Sequence, residues 1–313
     1  MKHITLGGST ITASRLAYGC WRLAGSSDPA LVTPERRARG RSAVVAAFEA
    51  GYTLFDLADI YCDGVAESIF GEALKAVPGM RGQVVIASKC GIRKAGVPHG
   101  NAPYRYDFSA EHIIASCDAS LQRLGVETID LYQLHRPDFL GNPVEVADAF
   151  ERLQKAGKVR EFGVSNFRPS QVTLFQTACR LPLRVNQIEI SLAHLEPFFD
   201  GSLDQCLAHR LTPMAWSPLA GGKLLSQTVD MTNPHHAQRQ RLLDTLDLVA
   251  RERGVSRAVI AVAWLLKHPA GIVPIVGSTD PERISDLAKA DTCDLTREEW
   301  YRLLEAAHGQ RLP

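Results

Sequence analysis

The sequence predicts an α/β chain folded as a (β/α)8 barrel, the TIM-barrel class, with a β-hairpin at its N-terminus. Three observations lead there. Eight short apolar runs recur along the chain, and longer segments of helical character separate them. Runs that are apolar throughout suit strands covered on both faces, and right-handed crossovers between them leave a closed barrel or an open doubly wound sheet. Eight repeats favour the barrel. Polar residues also fall at or just after six of the runs: Asp56, Lys89, His135, Asn166, Gln187 and Ser217. In a barrel these strand ends converge on a single rim, where side chains from separate strands meet.

Taken in order, the first residues form β-like runs at 3–6 and 10–12 around Gly7-Gly8, a pair able to turn a hairpin because both positions can take positive φ. Barrel strands are expected near 16–18, 53–55, 84–87, 129–134, 161–164, 185–187, 212–215 and 273–276. A helix is expected over 34–50, stopped by Gly51, and another over 109–124, stopped by Gly125. Helices over 143–156 and 169–179 each open on proline, whose fixed φ suits a first helical turn. Segments 238–253, 257–267 and 296–307 complete the helical set. No Gly-, Pro- or Ser-rich linker divides the chain, so residues 1–313 are expected to form one domain.

Composition narrows the function. The formal net charge is +1, which gives no reason to expect a nucleic-acid partner. The cluster Arg36, Arg37, Arg39 and Arg41 lies among apolar helix residues and reads as a solvated helix face. Seven cysteines, an odd number without CxxC or Cys/His metal spacing, fit a reducing compartment better than a disulfide framework. The N-terminus has no signal-like apolar region, and no apolar stretch reaches the ~18 residues a spanning helix needs. A cytoplasmic enzyme acting on a small molecule, without metal or membrane, is the expectation.

Chemistry concentrates at the strand ends. Reducing a carbonyl requires a hydride donor and an acid that protonates the alkoxide as it forms. Tyrosine, near pKa 10, needs help to act as that acid at neutral pH. An ammonium ~4 Å away, at an effective dielectric of 20, attracts the phenolate by about 4 kcal/mol, and a carboxylate can hold the ammonium in place. Asp56, Tyr61, Lys89 and His135 bring these groups to neighbouring strand ends.

The same four residues resemble, in chain order and strand position, the catalytic tetrad of the aldo-keto reductase superfamily. Gly163-Val164-Ser165-Asn166-Phe167 resembles its strand-five motif and Asn186-Gln187 its strand-six motif. Trp216-Ser217-Pro218-Leu219 and Pro274-Ile275-Val276-Gly277-Ser278 resemble its cofactor-binding stretches. The likeness runs along essentially the whole chain. It implies a bacterial-type enzyme that reduces aldehydes or ketones to alcohols with NADPH, NADH being a possible substitute.

On this resemblance Tyr61 is the general acid, Lys89 paired with Asp56 lowers its pKa, and a neutral His135 orients the carbonyl. Ser165, Asn166 and Gln187 hold the nicotinamide carboxamide, and Trp216 stacks on the ring. Residues 217–223 wrap the pyrophosphate: Ser217, Pro218 and Leu219 lead into the turn, Gly221 and Gly222 allow close backbone approach, and Lys223 adds charge. Ser278 and Arg283 take the adenosine 2′-phosphate. Gly277 stands where many members carry Lys, which implies a narrower preference for NADPH. Trp21, just after the first strand, is expected to line the substrate mouth with Tyr61 and His135, and a core position suits it equally. The lack of a GxGxxG fingerprint agrees with a cofactor lying extended over a barrel.

Other residues read more plainly. Asp59 and Asp63 are expected to cap loops, Cys62 and Cys90 to fill the rim, and His194, His209, His235 and His236 to lie on the surface. Tyr104 and Tyr106, in the loop 91–108, suit a lid or an ordinary exposed loop equally. A short loop at 136–142 and the lack of a long C-terminal tail predict an open pocket. Two other functions stay open. One is a cofactor-binding regulatory subunit without significant turnover, as in potassium-channel β subunits; the other is a barrel lyase or aldolase with Lys89 as Schiff base.

Overall fold

In the computed structural model, which describes residues 1–226, 232 and 234–311, the apolar runs do become parallel strands. Strands β1 (His3–Thr5) and β2 (Thr12–Ser14) form the N-terminal hairpin, and β3 (Ala17–Gly19), β4 (Leu54–Asp56) and β5 (Val85–Cys90) begin the barrel. A small hairpin of β6 (Ile92–Arg93) and β7 (Arg105–Tyr106) interrupts it. Strands β8 (Ile129–Leu134), β9 (Val159–Ser165), β10 (Leu183–Glu189), β11 (Thr212–Trp216) and β12 (Val273–Val276) complete it. The eight barrel strands close in chain order, β12 returning to β3 with Ile275 opposite Ala17 and Val276 opposite Tyr18.

Helices cover the barrel. They are α1 (Pro34–Glu49), α2 (Val65–Ala76), α3 (Ala110–Leu124), α4 (Pro143–Lys155), α5 (Pro169–Ala178), α6 (Ser202–His209), α7 (His236–Arg253), α8 (Arg257–Leu266), α9 (Pro281–Ala288) and α10 (Arg297–His308). Side chains of Thr33, Ser109, Asn142, Ser256, Asp280 and Thr296 cap backbone N–H groups at helix starts. Three helices lie where the sequence pattern gave none. α2 and α6 start after glycines with no side-chain cap, so the usual start signal is missing. α9 does carry a cap and a proline, but they fall inside the stretch that resembles a phosphate site.

The N-terminal hairpin departs from expectation in register. Thr5 pairs with Thr12, so the second strand runs 12–14 rather than 10–12. Gly7-Gly8 is not a two-residue turn; it lies in a short 3₁₀ segment pressed on the barrel floor. Gly7 has φ 52°, its N–H donates to Thr212 Oγ1 at 2.8 Å, and a Cβ there would stand 2.2 Å from the Arg184 carbonyl oxygen. The hairpin thus plugs the floor, and Leu6, Ile11 and Ala13 join the barrel's interior core with Ala17, Leu54 and Met214. A larger apolar layer lies between strands and helices, with Phe55, Phe70, Phe150 and Trp264 among its fully buried members. Both layers leave the opposite rim to polar side chains.

Candidate active site

Asp56 is the last residue of β4, and the chain beyond it stays attached to β5. The Leu57 N–H donates to the Ala87 carbonyl at 2.8 Å and the Asp59 N–H to the Lys89 carbonyl at 3.1 Å. This splint carries Tyr61 back over the end of β5. Lys89, fully buried, donates from Nζ to Asp56 Oδ2 at 2.8 Å, to the Leu57 carbonyl at 2.7 Å and to Tyr61 Oη at 3.1 Å. His135 extends β8, its N–H bonded to the Cys90 carbonyl at 2.8 Å, and its ring meets the Tyr61 ring edge-on at 5.9 Å. Four side chains from three strand ends, those of β4, β5 and β8, therefore meet at one point.

The electrostatics assign states to these groups. Burial opposes the Lys89 charge, but Asp56 and Tyr61 outweigh it and hold the ammonium above its ordinary range. With three acceptors on three donors, Lys89 has no lone pair for a Schiff base, so this geometry disfavours the lyase reading. Burial raises the Tyr61 pKa and outweighs the expected downward pull of Lys89, so the net shift is upward. Desolvating a phenolate costs more here than one ammonium returns, so the phenol keeps its proton at neutral pH. Burial, then Lys89 and Arg136, push His135 well below its usual range, leaving it neutral. Among the described residues its Nδ1 is buried without a hydrogen-bond partner.

Beside this group a second polar set joins β9, β10 and β11. Ser165 Oγ donates to the Gln187 carbonyl at 2.8 Å, and Asn166 Nδ2 donates to Ser165 Oγ at 2.8 Å and to the His135 carbonyl at 3.1 Å. Trp216 Nε1 donates to Asn166 Oδ1 at 2.9 Å. Gln187 does something the sequence pattern did not suggest: its Nε2 donates to Asp56 Oδ1 at 2.7 Å, tying the two sets together. Asn166 and Ser217 both sit in the left-handed region, at φ 63° and 51°, which turns the chain outward just past each strand.

A cleft of about 1180 Å³ opens above both sets. Asp56, Tyr61 and His135 lie on its wall, with Lys89 sealed behind them. Ser165, Asn166, Gln187 and Trp216 line its middle. Ser217, Pro218, Leu219 and Gly221 carry the wall onward, and Gly277, Ser278 and Arg283 belong to it as well. Trp21 lines it while remaining 61% exposed. Lys223, an exposed residue, is not among those that line it. Tyr104 and Tyr106 stack edge-on at 6.0 Å in the β6–β7 hairpin, outside the cleft wall. Burial pushes the Cys62 and Cys90 thiols up, leaving them protonated.

The cleft suits an extended dinucleotide. At Ala220, Gly221 and Gly222 φ is 51°, 66° and 94°, and the Ala220 and Gly222 N–H groups donate to the Ser217 and Leu219 carbonyls at 2.8 and 2.9 Å, closing a tight left-handed turn beside the cleft. A Cβ at Gly221 or Gly222 would meet no atom of the described residues within 4 Å. Gly277 is fixed by packing instead, since its Cβ would stand 3.1 Å from the Gly19 carbonyl oxygen.

Several wall residues escaped the sequence reading. Arg136 lies 5.5 Å over the Trp216 ring, and its place directly after His135 was a usable signal. Arg257, just after the Ser256 cap, pairs with Asp247 and donates to the Ser226 carbonyl at 2.8 Å, bracing the turn. Arg22 and Arg39 also line the cleft. Among the described residues, no group of three or more His, Cys, Asp or Glu is placed to hold a metal, and no helix is long and apolar enough to cross a membrane.

Residues 15–308 match the model of the Aldo/keto reductase family. The chain is 43% identical to the 6-dehydroglucose reductase of Novosphingobium aromaticivorans, over 98% of this chain and 96% of that one. It is 38% identical to the 6-dehydroglucose reductase of Agrobacterium fabrum over the full length of both. It superposes on the glycerol dehydrogenase of Gluconobacter oxydans with a TM-score of 0.83 at 26% identity, covering 99% and 97% of the two chains.

Proposed function

Because the chain belongs to the aldo/keto reductase family, we propose that it reduces an aldehyde or ketone to an alcohol with NADPH, Tyr61 serving as general acid. The observation that carries this reading is Tyr61 Oη, half-buried on the cleft wall and 3.1 Å from a Lys89 ammonium that Asp56 holds. NADPH, when bound, supplies the hydride. Trp216 offers the ring face for nicotinamide, with Ser165, Asn166 and Gln187 beside it for the carboxamide. Ser217, Pro218, Leu219 and Gly221 follow the pyrophosphate, and Gly277, Ser278 and Arg283 the adenosine end.

Neutral His135 gives one N–H to the carbonyl oxygen, orienting it toward Tyr61. As negative charge grows on that oxygen, Tyr61 donates its proton there and becomes a phenolate. The Lys89 ammonium stabilises that phenolate directly, and the Asp56–Gln187 bond keeps the ammonium in place. In the reverse direction the same phenolate accepts the proton of an alcohol. Gln187 is in this reading a positioning residue as well as a cofactor contact.

The two relatives named as 6-dehydroglucose reductases make a hydroxyl-rich sugar aldehyde the substrate class to test first. The wall residues Trp21, Arg22 and Arg136 present stacking area and hydrogen-bond donors suited to such a molecule. The test is NADPH oxidation by the purified protein with 6-dehydroglucose, beside simple aldehydes and ketones. Turnover that disappears in Tyr61→Phe while NADPH still binds is expected. NADPH binding without oxidation by any carbonyl would replace this reading with the cofactor-binding subunit.

A further inference from the structure

The arginine cluster on α1 is not one solvated face. Arg37 and Arg41, one turn apart, both reach Glu72 of α2, at 2.9 and 2.7 Å. Arg36 folds back on the Leu31 carbonyl at 2.8 Å. Arg39 lies two residues from both Arg37 and Arg41, about 200° round the helix, and so points away from α2. The neighbour of α1 on its other side is α9, which follows Ser278 and carries Arg283. Arg39 accordingly lines the same cleft as Ser278, Thr279 and Arg283.

The charges around it are already matched. Arg283 Nε lies 3.5 Å from Asp280, Asp286 pairs with Lys289 at 3.0 Å, and Arg257 pairs with Asp247. Among the described residues Arg39 has no carboxylate within ion-pair distance, although it faces a cleft wall that includes Asp280 and Asp286. A guanidinium held on a helix, without an ion-pair partner among the described residues and on the same cleft wall as the hydroxyls of Ser278 and Thr279, is suited to a phosphate monoester, which it can engage through two N–H groups. Gly277 cannot supply such a group, and the 3.1 Å approach to Gly19 resists even a Cβ there.

We propose that Arg39 binds the adenosine 2′-phosphate of NADP(H) from the α1 side and is the main source of discrimination against NADH. Arg283, divided between solvent and Asp280, assists. The inference rests on the cofactor reading of this cleft and adds to it a residue from a different helix.

The test is calorimetric binding of 2′,5′-ADP and 5′-AMP, with NADPH and NADH followed by tryptophan fluorescence, to wild type, Arg39→Ala and Arg41→Ala. Arg39→Ala is expected to weaken 2′,5′-ADP and NADPH about ten- to a hundredfold, the size of one charge-assisted contact. It should leave 5′-AMP and NADH within about twofold of wild type. Arg41→Ala, on the α2 side, should change none of the four. Arg39 is exposed, so a melting temperature equal to wild type is expected and separates binding from folding. Equal weakening of NADPH and NADH by Arg39→Ala, or no weakening, overturns the proposal and leaves the reductase reading standing. A wild type that binds both dinucleotides equally also overturns it. A wild type that binds neither dinucleotide overturns the cofactor reading and this proposal together.

Discussion

Tyr61 keeps its proton because burial raises its pKa more than Lys89 lowers it, so the acid form prevails throughout the neutral range. Tyr61→Phe removes only that proton, and kcat is expected to fall by ~10²–10⁴ while the Kd of NADPH stays within a few-fold. Retention of a tenth of wild-type kcat would remove Tyr61 from its role. Lys89→Met leaves Asp56 buried with Gln187 as its remaining side-chain partner. That change is expected to abolish turnover at neutral pH and to cost about 3–5 kcal/mol in urea unfolding, because a buried carboxylate loses its cation. Asp59 is a different case: burial and then the buried Glu67 carboxylate raise its pKa to about 7, and among the described residues its Oδ1 has no hydrogen-bond partner. A carboxyl with a raised folded pKa stabilises most below its unfolded value and loses that contribution as pH rises through 7. Asp59→Asn should therefore match wild type near pH 4 and exceed it above pH 7, by roughly 1–3 kcal/mol given a half-buried group. Urea titrations at the two ends of that range decide it, and a constant offset would contradict the sign.

The elements divide into those that hold the floor and those that present the rim. The hairpin β1–β2 closes the floor, with Leu6 buried against the interior core, and lies at the opposite end of the barrel from the cleft. Leu6→Ala is expected to lower stability by about 2–5 kcal/mol, the usual range for a buried leucine truncation, with kcat unchanged at temperatures where the protein is folded. A parallel loss of kcat would mean that floor and rim are coupled. At the rim the strand ends were legible, because a polar residue closing an apolar run is a pattern within a few consecutive residues. The helices α2 and α6 were not, since they open without a capping side chain. The Gly7-Gly8 pair was legible as a bend but not as a plug, because what fixes Gly7 is the backbone of Arg184 on another strand.

At the scale of the molecule, one cleft runs across the barrel mouth and takes residues from β3, β4, β9, β10, β11 and β12, from the loops after them and from the segment after β8. A ligand spanning it fastens distant parts of the chain together and should stabilise the whole. At a concentration 100 times its Kd, NADPH is expected to add about 2.7 kcal/mol to unfolding free energy. NADH at the same concentration should add less, read as a smaller rise in melting temperature, and an equal rise would remove the preference. The residues by themselves pointed to the barrel and to Asp56, Tyr61, Lys89 and His135 as groups that the strand ends bring together. Apolar periodicity and strand-end chemistry are local properties that survive in a linear reading. Tertiary structure alone decided the rest: the upward shift of Tyr61, the bond from Gln187 to Asp56, and the turning of Arg39 away from Arg37 and Arg41 toward the cleft. Each depends on what surrounds a group in space. Desolvation, hydrogen-bond partners and the neighbour a helix face meets are set by residues tens to hundreds of positions away.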